Sequence, residues 1–95
     1  MKKEYSKTIL RRLRNEISIS ILIADVLDVP SKISEGYFRF LCPKCSEFRT
    51  ATNSKTNLAR CFRCETNFNP IDMVMIVKHL NFKEAVEYLL GIQTI

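Results

Sequence analysis

Cys42 and Cys45 lie in the run CPKC, and Cys61 and Cys64 in the run CFRC, with fifteen residues between the pairs. Two residues between paired cysteines let both sulfurs turn onto one ion at about 2.3 Å, and a hairpin between the pairs brings two such knuckles together. Zinc is the metal expected of a closed four-thiolate tetrahedron, although an iron centre would use the same ligands. Four protein ligands leave no position for a water, so the ion is expected to be structural and to perform no Lewis-acid chemistry. Two other readings of the cysteines are disulfides, which a reducing compartment disfavours, and a thioredoxin-like redox pair, which needs one CxxC beside a βαβ pattern. His79, the only histidine, falls inside a predicted helix well past the last cysteine and reads as an ordinary helix residue.

A site of this kind needs a small sheet to hold it. YFRFL, residues 37–41, suits a strand that leads into the first pair. EFRTATN and NLARCF lean towards β structure on either side of the polar Ser54–Thr56, which predicts a hairpin and three short antiparallel strands in all. Pro30–Gly36 is polar and turn-rich and reads as a connector. Ahead of it, Ile9, Leu10, Leu13 and Ile17 recur at helical spacing, with Arg11, Arg12 and Arg14 on the other positions. Ser18 offers a cap or break before Ile19, Leu22, Ile23, Val26 and Leu27, which give a second helix or a continuation ending near Pro30. After the ribbon, Asn69, Pro70 and Asp72 supply an N-cap, a first-turn proline and an acid for a helix reaching about Lys78. Asn81 and Glu84 form a capping-box pair ahead of Phe82, Ala85, Val86, Leu89 and Leu90, with Gly91 placed to end the last helix.

The fold class that follows is α+β: a zinc ribbon flanked by N-terminal and C-terminal helices. Residues 1–95 read as one domain, with helices over about 8–29, the ribbon over about 36–68 and helices over about 70–90. A chain this short buries a modest share of its surface, and a metal supplies the missing staple. No stretch approaches the roughly 20 apolar residues of a membrane span, so a soluble, cytoplasmic protein is expected. The net charge of +5 is uneven: residues 1–41 hold eight basic and five acidic side chains, residues 42–69 five and two, and residues 70–95 two and three. Four thiolates on one dication add about two negative charges to the middle segment, so overall basicity is thin support for nucleic acid. The placement of each cation decides instead.

The order of these elements, a Gly-aromatic strand into CPxC, a hairpin into CFxC, then NPIDM and a helix ending in FKEAVEYLL, resembles the N-terminal zinc-binding domain of bacterial and phage DnaG-type DNA primases. The resemblance runs from about Ile9 to Leu90 and is closest over Gly36–Cys45, Cys61–Cys64, Asn69–Met75 and Leu80–Leu89. It implies a module that holds single-stranded template DNA and helps choose the initiation site, while a separate polymerase domain, in cis or in trans, makes the RNA primer. A replicative helicase and a nucleoid-associated setting are further implied partners and place. The module is not catalytic by itself on this reading. Three departures stand out. The family usually has histidine as its second ligand, where this chain has Cys45; it tends to carry glycines where Glu65 and Phe68 stand, which points to a different second turn; and its basic segment after the second ligand is echoed only by Phe48, Arg49 and Thr50.

Single strands are held by cations along the phosphates and by aromatics under the bases. Tyr37, Arg39, Lys44, Arg49, Lys55, Arg60 and Arg63 are the residues expected to meet nucleic acid, with alternation in YFRFL turning Tyr37 and Arg39 to the template and Phe38 and Phe40 to the core. Against this, aromatics in a small domain are mostly core and arginines mostly solvated. Arg11, Arg12 and Arg14 read as a solvated helix face or a surface for a protein partner, and Lys2, Lys3 and Lys7 as a loose arm. The competing function is a stand-alone zinc-ribbon accessory factor, such as a mobile-element regulator, that binds duplex DNA or a protein.

Overall fold

The computed structural model describes residues 5–93. Lys2 and Lys3 of the expected arm lie outside them, whereas Lys7 opens the first helix rather than belonging to an arm. That helix, α1, spans Lys7–Glu16, and the Ser6 side chain caps it by accepting from the Ile9 amide at 3.1 Å. Its apolar stripe is narrow: Leu13 is buried, while Ile9 and Leu10 pack partly against the core. The chain breaks at Ile17 and resumes as α2, Ile19–Ile21, which widens at once into a π-helical turn over Leu22–Val26. Asp28 then turns left-handed (φ 54°), and the Val29 amide returns to the Ile23 carbonyl at 2.9 Å, ending the element before Pro30.

Two antiparallel sheets follow. β1, Ser31–Ser34, pairs with β2, Tyr37–Phe40, so the expected connector is itself a strand. Glu35 (φ 55°) and Gly36 (φ 80°) close that hairpin as a two-residue loop with both φ positive, the turn whose twist matches the strands. The second sheet has the order β3-β4-β5, with β3 at Thr50–Asn53, β4 at Leu58–Cys61 and β5 at Thr66–Phe68. The ribbon's third strand is thus β5, not the YFRF segment expected from sequence. Thr50 joins the two sheets: its buried hydroxyl donates to the Phe40 carbonyl at 2.6 Å and accepts from the Phe40 amide at 2.8 Å.

Two helices complete the chain. α3, Pro70–Lys78, begins with a reciprocal capping box, Asn69 accepting from the Asp72 amide at 2.8 Å and Asp72 from the Asn69 amide at 3.1 Å. It ends where His79 turns left-handed and the Leu80 amide reaches back to the Met75 carbonyl at 3.0 Å. α4, Phe82–Gln93, has the same box between Asn81 and Glu84. Gly91 does not end it. The helix runs on to Gln93 although a helical glycine costs roughly 1 kcal/mol, and Ile92, just past the glycine, packs partly against the core.

The core gathers Leu13, Ile19, Leu22 and Ile23 from the N-terminal helices, Phe40, Ala59, Cys61 and Phe68 from the sheets, and Ile71, Met73, Val74, Ala85, Val86 and Leu89 from α3 and α4. One side chain ties the N-terminal corner to the ribbon. Asn57, left-handed at φ 56°, donates through Nδ2 to the Arg14 and Ile17 carbonyls at 2.6 and 2.7 Å and accepts at Oδ1 from the Ile19 amide at 2.9 Å. These are the orphan carbonyls at the end of α1 and an orphan amide at the start of α2.

Candidate metal centre and nucleic-acid interface

Cys42 follows β2, Cys61 ends β4, and each begins a tight turn that brings its partner, Cys45 or Cys64, back beside it. The Lys44 amide donates to the Cys42 sulfur and the Cys64 amide to the Cys61 sulfur, both at 3.4 Å. After each pair the next residue is left-handed, Ser46 at φ 59° and Glu65 at φ 53°. The second turn therefore repeats the first, and does so without the glycine that would adopt it freely. Arg63 and Glu47 link the two turns across the outside at 3.6 Å.

All four sulfurs lie within 4.8 Å of one another, with Cys42 and Cys64 3.9 Å apart and Cys45 and Cys61 3.7 Å apart. Sulfurs at about 2.3 Å from a central ion sit about 3.8 Å apart on a tetrahedron, so the spacing fits one zinc. It does not fit a disulfide, whose sulfurs are about 2.05 Å apart. Protonation points the same way. Burial pushes the Cys42 thiol up, and burial together with the neighbouring sulfurs pushes Cys64 up to about 12. Burial also opposes ionisation of Cys61, yet the Cys64 amide and three surrounding thiols bring it down to about 7. One thiolate in this shell is held at the expense of the others, a conflict that a dication removes by displacing the protons. Among the described residues this is the one group of cysteine, histidine and acidic side chains placed to hold a metal, and exposed His79 stands outside it. The four cysteines hold one structural zinc, with no open position.

The expected nucleic-acid residues fall in different places. The β3-β4-β5 register puts Ala51, Arg60 and Asn67 side by side, with Asn53 opposite Leu58, on the face turned away from the helices. An open groove runs along that face, with Ala51 and Leu58 in its floor, Lys55 and Arg60 as its cations, and Tyr37 and Phe62 as its aromatics. Both rings are about half exposed, Tyr37 at 56% and Phe62 at 51%. The Arg60 guanidinium lies 5.7 Å from the centre of the Phe62 ring. Phe40 is fully buried and Phe38 partly so.

Arg39 departs from expectation. Its side chain is only 19% exposed, it donates to the Thr50 carbonyl at 2.9 Å, and its guanidinium lies 5.5 Å from the Tyr37 ring centre. It satisfies a carbonyl where the two sheets meet and steadies the tyrosine, so it is not an open cation. Lys44 lines a second hollow with Asp72 and Met75, Arg63 is engaged with Glu47, and Arg49 is exposed outside the groove lining. Phe62, Asn53 and Asn67 line the groove without having been expected there. Phe62 had a signal, since a side chain between two cysteines that close on one ion is turned away from that ion.

No helix among the described residues is long and apolar enough to cross a membrane. Among curated proteins, no individual relative matches the chain. The CHC2 zinc finger family does match, over residues 5–95, which is nearly its whole length. The chain therefore belongs to the CHC2 zinc finger family, the DnaG zinc ribbon, and is a primase-type zinc-binding module in which Cys45 completes a four-cysteine site.

Proposed function

We propose that residues 1–95 act as one domain that holds single-stranded template DNA for a primase, with primer synthesis carried out by a polymerase domain in cis or in trans. The observation that carries this reading is the groove on the open sheet face, where two half-exposed rings, Tyr37 and Phe62, stand among Lys55 and Arg60. Rings in that position stack on unpaired bases, which a duplex keeps stacked on one another, while the cations follow the phosphates. The zinc fixes the turn that presents Phe62 and takes no part in chemistry. The setting is the cytoplasm, at the replicating nucleoid, with a replicative helicase as a further partner.

Fluorescence anisotropy with matched single-stranded and duplex oligonucleotides tests this. Single strands should bind more tightly, and Tyr37→Ala or Phe62→Ala should each weaken them by about 1–3 kcal/mol while zinc content is unchanged. Equal or tighter duplex binding would overturn the reading in favour of a duplex-binding accessory factor.

A further inference from the structure

The polar groups of the groove are not evenly divided between donors and acceptors. Asn53 Oδ1 already accepts from the Lys55 and Thr56 amides at 2.9 and 3.4 Å. Asn67 Oδ1 already accepts from Arg60 at 3.2 Å. The donors facing these atoms fix which end of each amide is oxygen, so each Nδ2 is the end left for a ligand. Arg60 and Lys55 can only donate. The Thr52 hydroxyl is paired with Ser20 at 2.8 Å, and the Ser54 and Thr56 hydroxyls can serve either way. Four side chains of the groove thus offer hydrogens, whereas Asn53 Oδ1 has both lone pairs engaged and Asn67 Oδ1 one of its two, and the Tyr37 hydroxyl, like those of Ser54 and Thr56, can serve either way.

DNA bases differ in this respect. Guanine O6 and thymine O4 accept at the positions where the exocyclic nitrogens of adenine and cytosine donate, and guanine carries a further donor at N2, on the other side of its ring. We propose that the groove distinguishes bases by their exocyclic group, holding strands built from the keto bases guanine and thymine in preference to the amino bases adenine and cytosine. This rests on the single-strand reading above. A donor meeting a donor leaves both without partners once water is excluded. Adenine and cytosine keep ring nitrogens and, for cytosine, a carbonyl that accept, so they are weakened rather than rejected.

Two single strands of about 12 nucleotides separate the possibilities: alternating dT and dG against alternating dC and dA. Both alternate purine with pyrimidine and carry the same charge. The zinc-loaded protein should bind the first roughly tenfold more tightly by anisotropy. Asn67→Asp keeps the acceptor that Arg60 uses and Asn53→Asp the one that the Lys55 and Thr56 amides use, but each replaces a donor by an acceptor. Each should lower the ratio of the two affinities, whatever it does to both through charge. Circular dichroism and zinc content confirm that the variants are folded. Tight but equal binding of the two strands, or a ratio that neither substitution changes, would overturn the preference and leave the single-strand reading standing. Failure of both strands to bind more tightly than their duplex would overturn that reading as well.

Discussion

The two faces of the β3-β4-β5 sheet are built from alternate residues of the same strands, yet they share little. One face carries Thr50, Thr52, Ala59, Cys61 and Phe68; of these, Thr50, Ala59, Cys61 and Phe68 are buried, and Thr52 is bonded to Ser20 of α2. The other carries Ala51, Asn53, Leu58, Arg60 and Asn67 and remains open as the groove. Period-two alternation is what allows the separation: a residue that holds the helices or the metal is followed by one that is free of that duty. Stability and the proposed strand contacts thus fall to alternate residues, so substitutions on one face should leave the other face's property alone.

The largest expected effect is on the closed face. Chelation of zinc, or Cys61→Ser, should abolish cooperative thermal unfolding followed by circular dichroism. A structural zinc contributes on the order of 10 kcal/mol or more, comparable with the roughly 5–15 kcal/mol that keeps a whole domain folded. A chelated protein that still melted cooperatively near the original temperature would mean that the helices alone hold that face. Thr50→Val comes next. It preserves shape but strips the hydrogen-bond partner from both backbone groups of buried Phe40 and should cost about 2–4 kcal/mol in urea denaturation. Affinity of the folded variant for single strands should not change. The smallest effect belongs to the open face: Arg60→Gln should leave the urea midpoint nearly unmoved while reducing the slope of log affinity against log salt by about 1. A variant that lost stability instead would mean that Arg60 is part of the scaffold.

The parts legible in the sequence were those whose signals are local. The cysteine spacing gave the metal site, and the Asn69-Asp72 and Asn81-Glu84 pairs marked two helix starts because each capping box is complete within four residues. What escaped depends on partners far along the chain. Ser31–Ser34 has one apolar residue, Ile33, which is left exposed, so no alternation announces it; it becomes a strand because YFRF folds back through Glu35 and Gly36. Glutamate is not a residue one looks for at positive φ, which hid that turn. Alternation correctly set Tyr37 opposite Phe40, but it could not reveal that Thr50 would offer Arg39 a carbonyl. The groove itself arises only where Tyr37, from one sheet, stands over residues of the other.

Asn57 has a consequence for the order in which the molecule is completed. The groups it satisfies on Arg14, Ile17 and Ile19 precede it by between 38 and 43 positions. During synthesis at about 5–20 residues per second, α1 and α2 emerge seconds before the side chain that fastens their corner. Cys64, the last ligand, follows Asn57 by only a few residues. The helical corner and the metal cage therefore become closable at nearly the same moment, and a ribosome stalled before that point carries two loose helices instead of half a domain.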